Sequence, residues 1–179
     1  MTYMFSPKVL DRAFVHEFRV SSDQLDADIR RPTPMAPATP DVHRHVIRIL
    51  QDDDWHFDHP HDDQERLVQE LRRLHEQLAK LNLEFGHRVL FEAMRFAAIA
   101  SAAGLGRTDS VLDYIVLTKL LPKTHGSRQR LEIPLGVLSV LAAGAEPDAD
   151  DEPRLPRTWA KLSRMQQILR ETQFVSFTD

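Results

Sequence analysis

QERLVQELRRLHEQLAKL (64–81) is the stretch that decides the fold class. Leu67, Leu71, Leu74, Leu78 and Leu81 recur at steps of three and four residues, with charged residues between them. That spacing puts one apolar stripe along an α-helix and a solvated face opposite it. The same period continues downstream. A second helix is expected from about Gly86 to Ala103, with Val89, Leu90, Met94, Phe96 and Ile99 as its large apolar residues and Gly104 and Gly106 at its end. Thr108 or Asp109 is expected to cap a third, which turns Val111, Leu112, Ile115, Val116 and Leu120 inward until Pro122 stops it. LGVLSVLAA (135–143) reads as a fourth helix. An acidic loop (146–153) follows, then a last helix over about 158–172 and a short strand at FVSF (174–177). These helices can bury a core among themselves.

Upstream the pattern changes. SPKVLDRA (6–13) reads as a short helix, with Ser6 as cap and Pro7 in the first turn. FVHEFRV (14–20) alternates, which is a strand signal. The proline-rich 21–45 reads as an extended linker, VIRIL (46–50) as an apolar run of open type, and the polar 51–63 as a loop. A lone strand leaves its backbone donors and acceptors unpaired. The simpler source of partner strands is sequence upstream of Met1, with FVSF as the alternative. The fold class is therefore mainly α: a helical bundle preceded by a short helix–strand remnant of an α/β domain. The expected boundaries are 1–20, 21–63 and 64–179.

The totals narrow the function. A net charge of -4 over 179 residues gives no whole-chain case for nucleic-acid or membrane binding. The absence of cysteine excludes disulfides and thiolate metal sites. No apolar run is long enough to span a bilayer, and MTYMFSPKV lacks a signal-peptide pattern, so a cytoplasmic location is expected.

Four blocks carry a resemblance. FSPKVLDRAFVHEFRV (5–20) resembles the segment after the sensor-1 strand of McrB-like AAA+ ATPases. FGHRVLFEAMRF (85–96) looks like that family's lid helix, which opens with a sensor-2 arginine. LDYIVLTKLLPKTHGSR (112–128) is similar to the lid's "D..i..KvLPk.hGs" stretch, and LPRTWAKLSRMQQILRETQFVSF (155–177) to its closing helix and strand. The blocks cover somewhat under half the chain, in the family's order. The resemblance implies the end of an AAA+ core (1–20) followed by a helical lid (64–179). No G-x-x-x-x-G-K-[ST] phosphate loop and no Asp-Glu strand for magnesium are present. The chain is accordingly expected to begin in mid-domain, as a truncated gene, a split subunit or a degenerate relative. ATP or GTP with magnesium is expected only in a complete assembly, and no cofactor is expected for this chain alone. The implied partners are the missing core, ring neighbours in a hexamer and a nuclease subunit, with nucleic acid met only indirectly.

The resemblance makes Arg12 an arginine-finger candidate: charge building on a γ-phosphate calls for a planar cation. Its plainer reading is pairing with Asp11 or Glu17. Arg88 is the sensor-2 candidate. It lies in the first turn of a helix, where the dipole disfavours a cation but free N–H groups favour an anion beside it. Its plainer reading is a solvated arginine. His87 is a second candidate contact. Lys119, Lys123, His125, Arg128 and Arg130 form a basic stretch without an intervening acid. Phosphate contacts through Lys119, Lys123 and Arg128 are one reading and solvated loop residues the other. His56, Asp58, His59, His61 and Asp62 offer zinc-ligand chemistry, but their spacing follows no element that would aim them at one point, so no metal is expected. Two functions remain open: an AAA+ lid acting on nucleotide held by a separate core, and a stand-alone helical protein-interaction module.

Overall fold

The computed structural model describes residues 60–81, 83–105, 107–144 and 152–178, together with 9, 13–16, 44, 47–49, 51 and 58. The protein is mainly α-helical. Helices α1 (Gln64–Ala79), α2 (His87–Ala102) and α3 (Thr108–Ile115) are followed by a π-helical turn (Val116–Leu120) and a 3-10 turn (Leu121–Lys123). Strand β1 (His125–Ser127), helices α4 (Arg128–Ala143) and α5 (Pro156–Thr172), and strand β2 (Phe174–Ser176) complete the order.

The leucine stripe does what its spacing predicts. Leu67, Leu71, Leu74 and Leu78 are buried and Leu81 is half-buried. They join one core with Val111, Leu112 and Ile115 of α3, Leu131, Leu135 and Leu138 of α4, and Leu162, Met165 and Leu169 of α5. On α2 the buried residues are Val89, Ala93, Ala97, Ala98 and Ala100, while Leu90, Met94 and Phe96 are only partly covered. The expected apolar face was thus displaced toward the alanines. Small side chains let neighbouring elements approach closely, and the larger ones fill the flanks.

Helix ends explain most of the boundaries. Gly104 (φ 75°) closes α2 in the left-handed conformation: its N–H donates to Ser101 O and that of Leu105 to Ala100 O. This pairing is a Schellman motif and accounts for the expected glycine stop. At α3 the expected cap is not found. Arg107 holds the capping position, and the Thr108 hydroxyl donates to Asp63 Oδ2 at 3.1 Å. Tertiary pairing has taken the group that local capping would use.

Pro122 does not simply stop α3. A proline has no N–H, so the Thr118 carbonyl loses its helical donor. The Val15 N–H takes that place at 2.9 Å, and the chain unwinds through the π turn into the 3-10 turn. Helix α4 begins at Arg128, not 135, and carries Pro134 inside it. Proline deprives the Arg130 carbonyl of its donor, but Arg130 is exposed and Leu131, Leu135, Leu138 and Ala142 hold the buried side. Packing overrides the proline penalty. Helices α4 and α5 make the most extensive element pair.

FVSF does form a strand, but not beside residues 14–20. β2 pairs antiparallel with β1, in the register His125↔Ser176, Gly126↔Val175 and Ser127↔Phe174. Gly126 sits at φ 147°, with Arg130 and Leu131 3.5–3.9 Å from where a Cβ would stand. Residues 13–16 form no strand, and the rest of the expected 14–20 strand lies outside the described residues. So do Arg12, most of the expected helix at 6–13 (Val9 is helical), and most of the linker and loop between 21 and 63. Within that span Ile47–Ile49, Arg44, Gln51 and Asp58 are helical, and Ile49 is buried against Ala98. Among the described residues no helix is long and apolar enough to cross a membrane.

Gln173 closes α5 at φ 63°, a conformation that costs a side-chain-bearing residue roughly 1 kcal/mol relative to glycine. Gln173→Gly is expected to raise stability by up to about 1 kcal/mol, read as a higher urea midpoint at unchanged slope.

Candidate functional site

Arg88 is the sequence candidate that the structure places most informatively. It stands in the first turn of α2, after Gly86 in extended conformation, and this turn carries no acidic residue and no side-chain cap. The N–H groups of His87 and Arg88 have no carbonyl one turn back to bond, so the helix end presents donors. The guanidinium does not float free. Its Nε donates to Glu92 Oε1 at 2.9 Å, one turn on. The other carboxylate oxygen of Glu92 is bound by Lys119 Nζ.

Lys119 corrects the sequence reading. It was expected either as a phosphate contact or as a solvated loop lysine, and it is neither. It is 0% exposed, within the π turn, and its ammonium lies 4.2 Å from the Phe14 ring centroid. An isolated buried ammonium would be too costly, and Glu92 together with the aromatic face compensates it. Phe14 also meets Phe96 at 5.9 Å, which meets Tyr114 at 6.2 Å. Arg88, Glu92 and Lys119 thus form a relay from an exposed arginine to a buried lysine. Its inner end touches the N-terminal segment.

The other candidates are scattered. His87 is exposed beside a hollow of about 380 Å³ floored by Leu71, Phe85 and Leu90 and edged by Arg72 and His75. Lys123 is half-buried and engaged. Arg128 donates to Glu132 through Nε and Nη2 at 3.1 and 2.7 Å, an i,i+4 pair on α4. These hydrogen bonds above all hold the Glu132 carboxyl below the usual carboxylate range, against an opposing desolvation and with a smaller contribution from the arginine's charge. The pair therefore favours the fold above the unfolded-state pKa of glutamate, and this is lost as pH falls through the lowered folded value. NMR titration should place the Glu132 midpoint below that of free glutamate, and Arg128→Ala should return it. In the histidine-rich loop, His61 is buried and its Nδ1 accepts from the Asp63 N–H, while His56 and His59 lie outside the described residues.

Two roles were missed from sequence. Asp113, fully buried on α3, accepts from the N–H groups of Arg157 (3.1 Å) and Thr158 (2.8 Å). It therefore caps α5 from another helix, and its carbonyl accepts from the Thr158 hydroxyl. Arg154 joins Asp109 (2.7 Å) to Glu70 (3.3 Å), tying the entry to α5 onto α1 and α3. The only sequence signal for either was charge placed within an apolar or acidic context.

This arrangement defines a helical domain whose arginine-bearing helix end is buttressed by an ion pair between the partly exposed Glu92 and the buried Lys119. Residues 42–174 match the family described as a domain of unknown function, DUF8727, and the chain belongs to that family. No curated protein and no solved structure matches it.

Proposed function

We propose that this chain supplies the helical lid of a McrB-like AAA+ NTPase. In this reading Arg88 contacts the phosphates of a nucleotide held by a separate core, and Arg12 acts across a ring interface. The reading rests on the resemblance of the four blocks. The observation that carries it is the Arg88–Glu92–Lys119 relay. An arginine held at a helix N-terminus by a carboxylate, itself held by a buried lysine, is preorganised for a second anion. A phosphate approaching the helix end would share Arg88 with Glu92, whose charge Lys119 continues to balance. The residues suit the phosphates and not the metal, since the sequence has no phosphate loop or Asp-Glu strand. Closing and opening of the lid would couple turnover to movement.

The test is to purify the chain from its native host with whatever polypeptide it associates with, and to measure ATP and GTP turnover. A phosphate-loop polypeptide in the assembly is expected, with kcat falling at least about tenfold in Arg88→Ala while the oligomer persists. Assembly without such a polypeptide, or unchanged turnover, overturns the reading. No turnover is expected from the lone chain, and measurable activity lost on Arg88→Ala would overturn the separate-core claim.

The second reading, a helical interaction module that never meets nucleotide, is favoured by one observation. Ile133 and Val140, two turns apart on α4, are 67% and 71% exposed. Stable association through that face, with no phosphate-loop partner, would support it.

A further inference from the structure

We propose that two copies of this chain associate through the outer face of α4, as an antiparallel pair of helices about a two-fold axis. This takes up the apolar face on which the second reading above rests, and names its occupant. Helix α4 carries charge only at Arg128, Arg130 and Glu132, and none from Ile133 to Ala143. Its inner side, Leu131, Leu135, Leu138 and Ala142, is buried. Ser139, the one polar side chain beyond Glu132, is turned inward, and its hydroxyl accepts from Gln166 Nε2 at 3.0 Å. The outer side is apolar as well. Ile133, Gly136, Val137 and Val140 fall at i, i+3, i+4 and i+7, so they form one stripe opposite the core. Ile133 and Val140 are exposed, and a Cβ at Gly136 would meet nothing within 4 Å. A helix that is apolar on every side is ordinarily covered on every side.

Two features commit this face to a second copy. The first is that the stripe complements itself. With the axis between Gly136 and Val137, Ile133 of each copy meets Val140 of the other, while Gly136 leaves room for the other copy's Val137. That reciprocity is what a two-fold contact requires, and the missing Cβ lets the helices approach closely. The second feature is charge. Arg128 and Arg130 stand in the first turn of α4, which has no acidic residue, and the helix dipole disfavours cations there. Glu146, Asp148, Asp150 and Asp151 follow the other end of α4 in the sequence, where the dipole disfavours anions. A parallel pair would set like ends side by side. An antiparallel pair brings the arginines of one copy to the acidic stretch of the other and opposes the two dipoles. The 16 residues of α4 span about 24 Å. One helix pair of that length buries less than about 1,200 Å², so the association is reversible and in the micromolar range.

Sedimentation velocity on the full chain over a range of concentrations tests this, and a monomer–dimer equilibrium is expected. Val140→Asp should weaken it at least about tenfold, with thermal unfolding of the dilute chain unchanged because the side chain is exposed. Leu105→Asp changes a similarly exposed apolar residue outside α4 and should leave the equilibrium as it is. Arg130→Glu should weaken it about fivefold. The chain has no cysteine, so single introduced thiols report the register. Under mild oxidation Val137→Cys should crosslink to its copy. Ala143→Cys, roughly 20 Å from its counterpart in an antiparallel pair, should not. A chain that stays monomeric, equal weakening by Leu105→Asp and Val140→Asp, no effect of Arg130→Glu, or crosslinking of Ala143→Cys overturns the pair. A monomer in which Val140→Asp shifts amides of 21–43 would assign the face to the chain's own proline-rich stretch instead. A monomer that holds another protein on this face overturns the pair and keeps the second reading. A pair that also holds a phosphate-loop polypeptide ends that reading and keeps the pair, so the two fail separately.

Discussion

Asp113→Ala is expected to cost about 3–4 kcal/mol of stability. The carboxylate is fully buried and meets three groups: the N–H of Arg157, the N–H of Thr158 and the Arg157 guanidinium. Removing it leaves two backbone donors at the start of α5 without acceptors, and Pro156 and Leu155 offer no side-chain substitute. Loss of a helix cap alone costs about 1–2 kcal/mol, and leaving the second buried donor unmet adds roughly as much again. Arg157 contributes less to the loss, because it is half exposed and regains water. Thermal unfolding should fall by about 10 °C. Asp113→Asn, which keeps one acceptor and nearly the same volume, should cost about half as much. A change under about 1 kcal/mol for Asp113→Ala would mean that the cap is not made in solution.

Lys119→Met is expected to cost about 3 kcal/mol. It preserves much of the volume but removes the charge that balances Glu92 and the contact with Phe14. The cost arises chiefly from stranding a largely covered carboxylate, so it should shrink when that carboxylate goes too. Glu92→Gln with Lys119→Met should therefore be more stable than the sum of the single variants by at least about 1 kcal/mol. Additive losses would show that the pair contributes nothing beyond packing. Lys119→Met also tests the attachment of the N-terminal segment. Weaker hydrogen-exchange protection at the Val15 amide is expected, since the neighbouring Phe14 would lose its cation and the segment whose Val15 N–H donates to Thr118 O would be held less firmly.

The basic stretch read as Lys119 to Arg130 shows where a linear reading runs out. Five basic residues in twelve look alike in sequence. In the structure one is buried on a carboxylate, one is half-buried and engaged, and one is paired along its own helix. Which of these happens depends on Glu92 and Glu132, and only the second lies at a sequence spacing that announces the pair. Arg88 was legible in kind and position, while its buttress was legible only as two unrelated charged residues.

By itself the sequence determined the mainly helical class, the apolar stripe of α1, the glycine stop of α2 and the short strand near the C-terminus. Each depends on interactions within a few residues: periodicity, a positive-φ glycine, alternating exposure. Tertiary structure alone decided that α4 runs through Pro134, that β2 pairs with β1, that Asp113 caps a helix more than forty residues away, and that Lys119 lies inside. In those cases a local preference, or a local charge, is outweighed by burial and by backbone or carboxylate partners that only folding brings within reach.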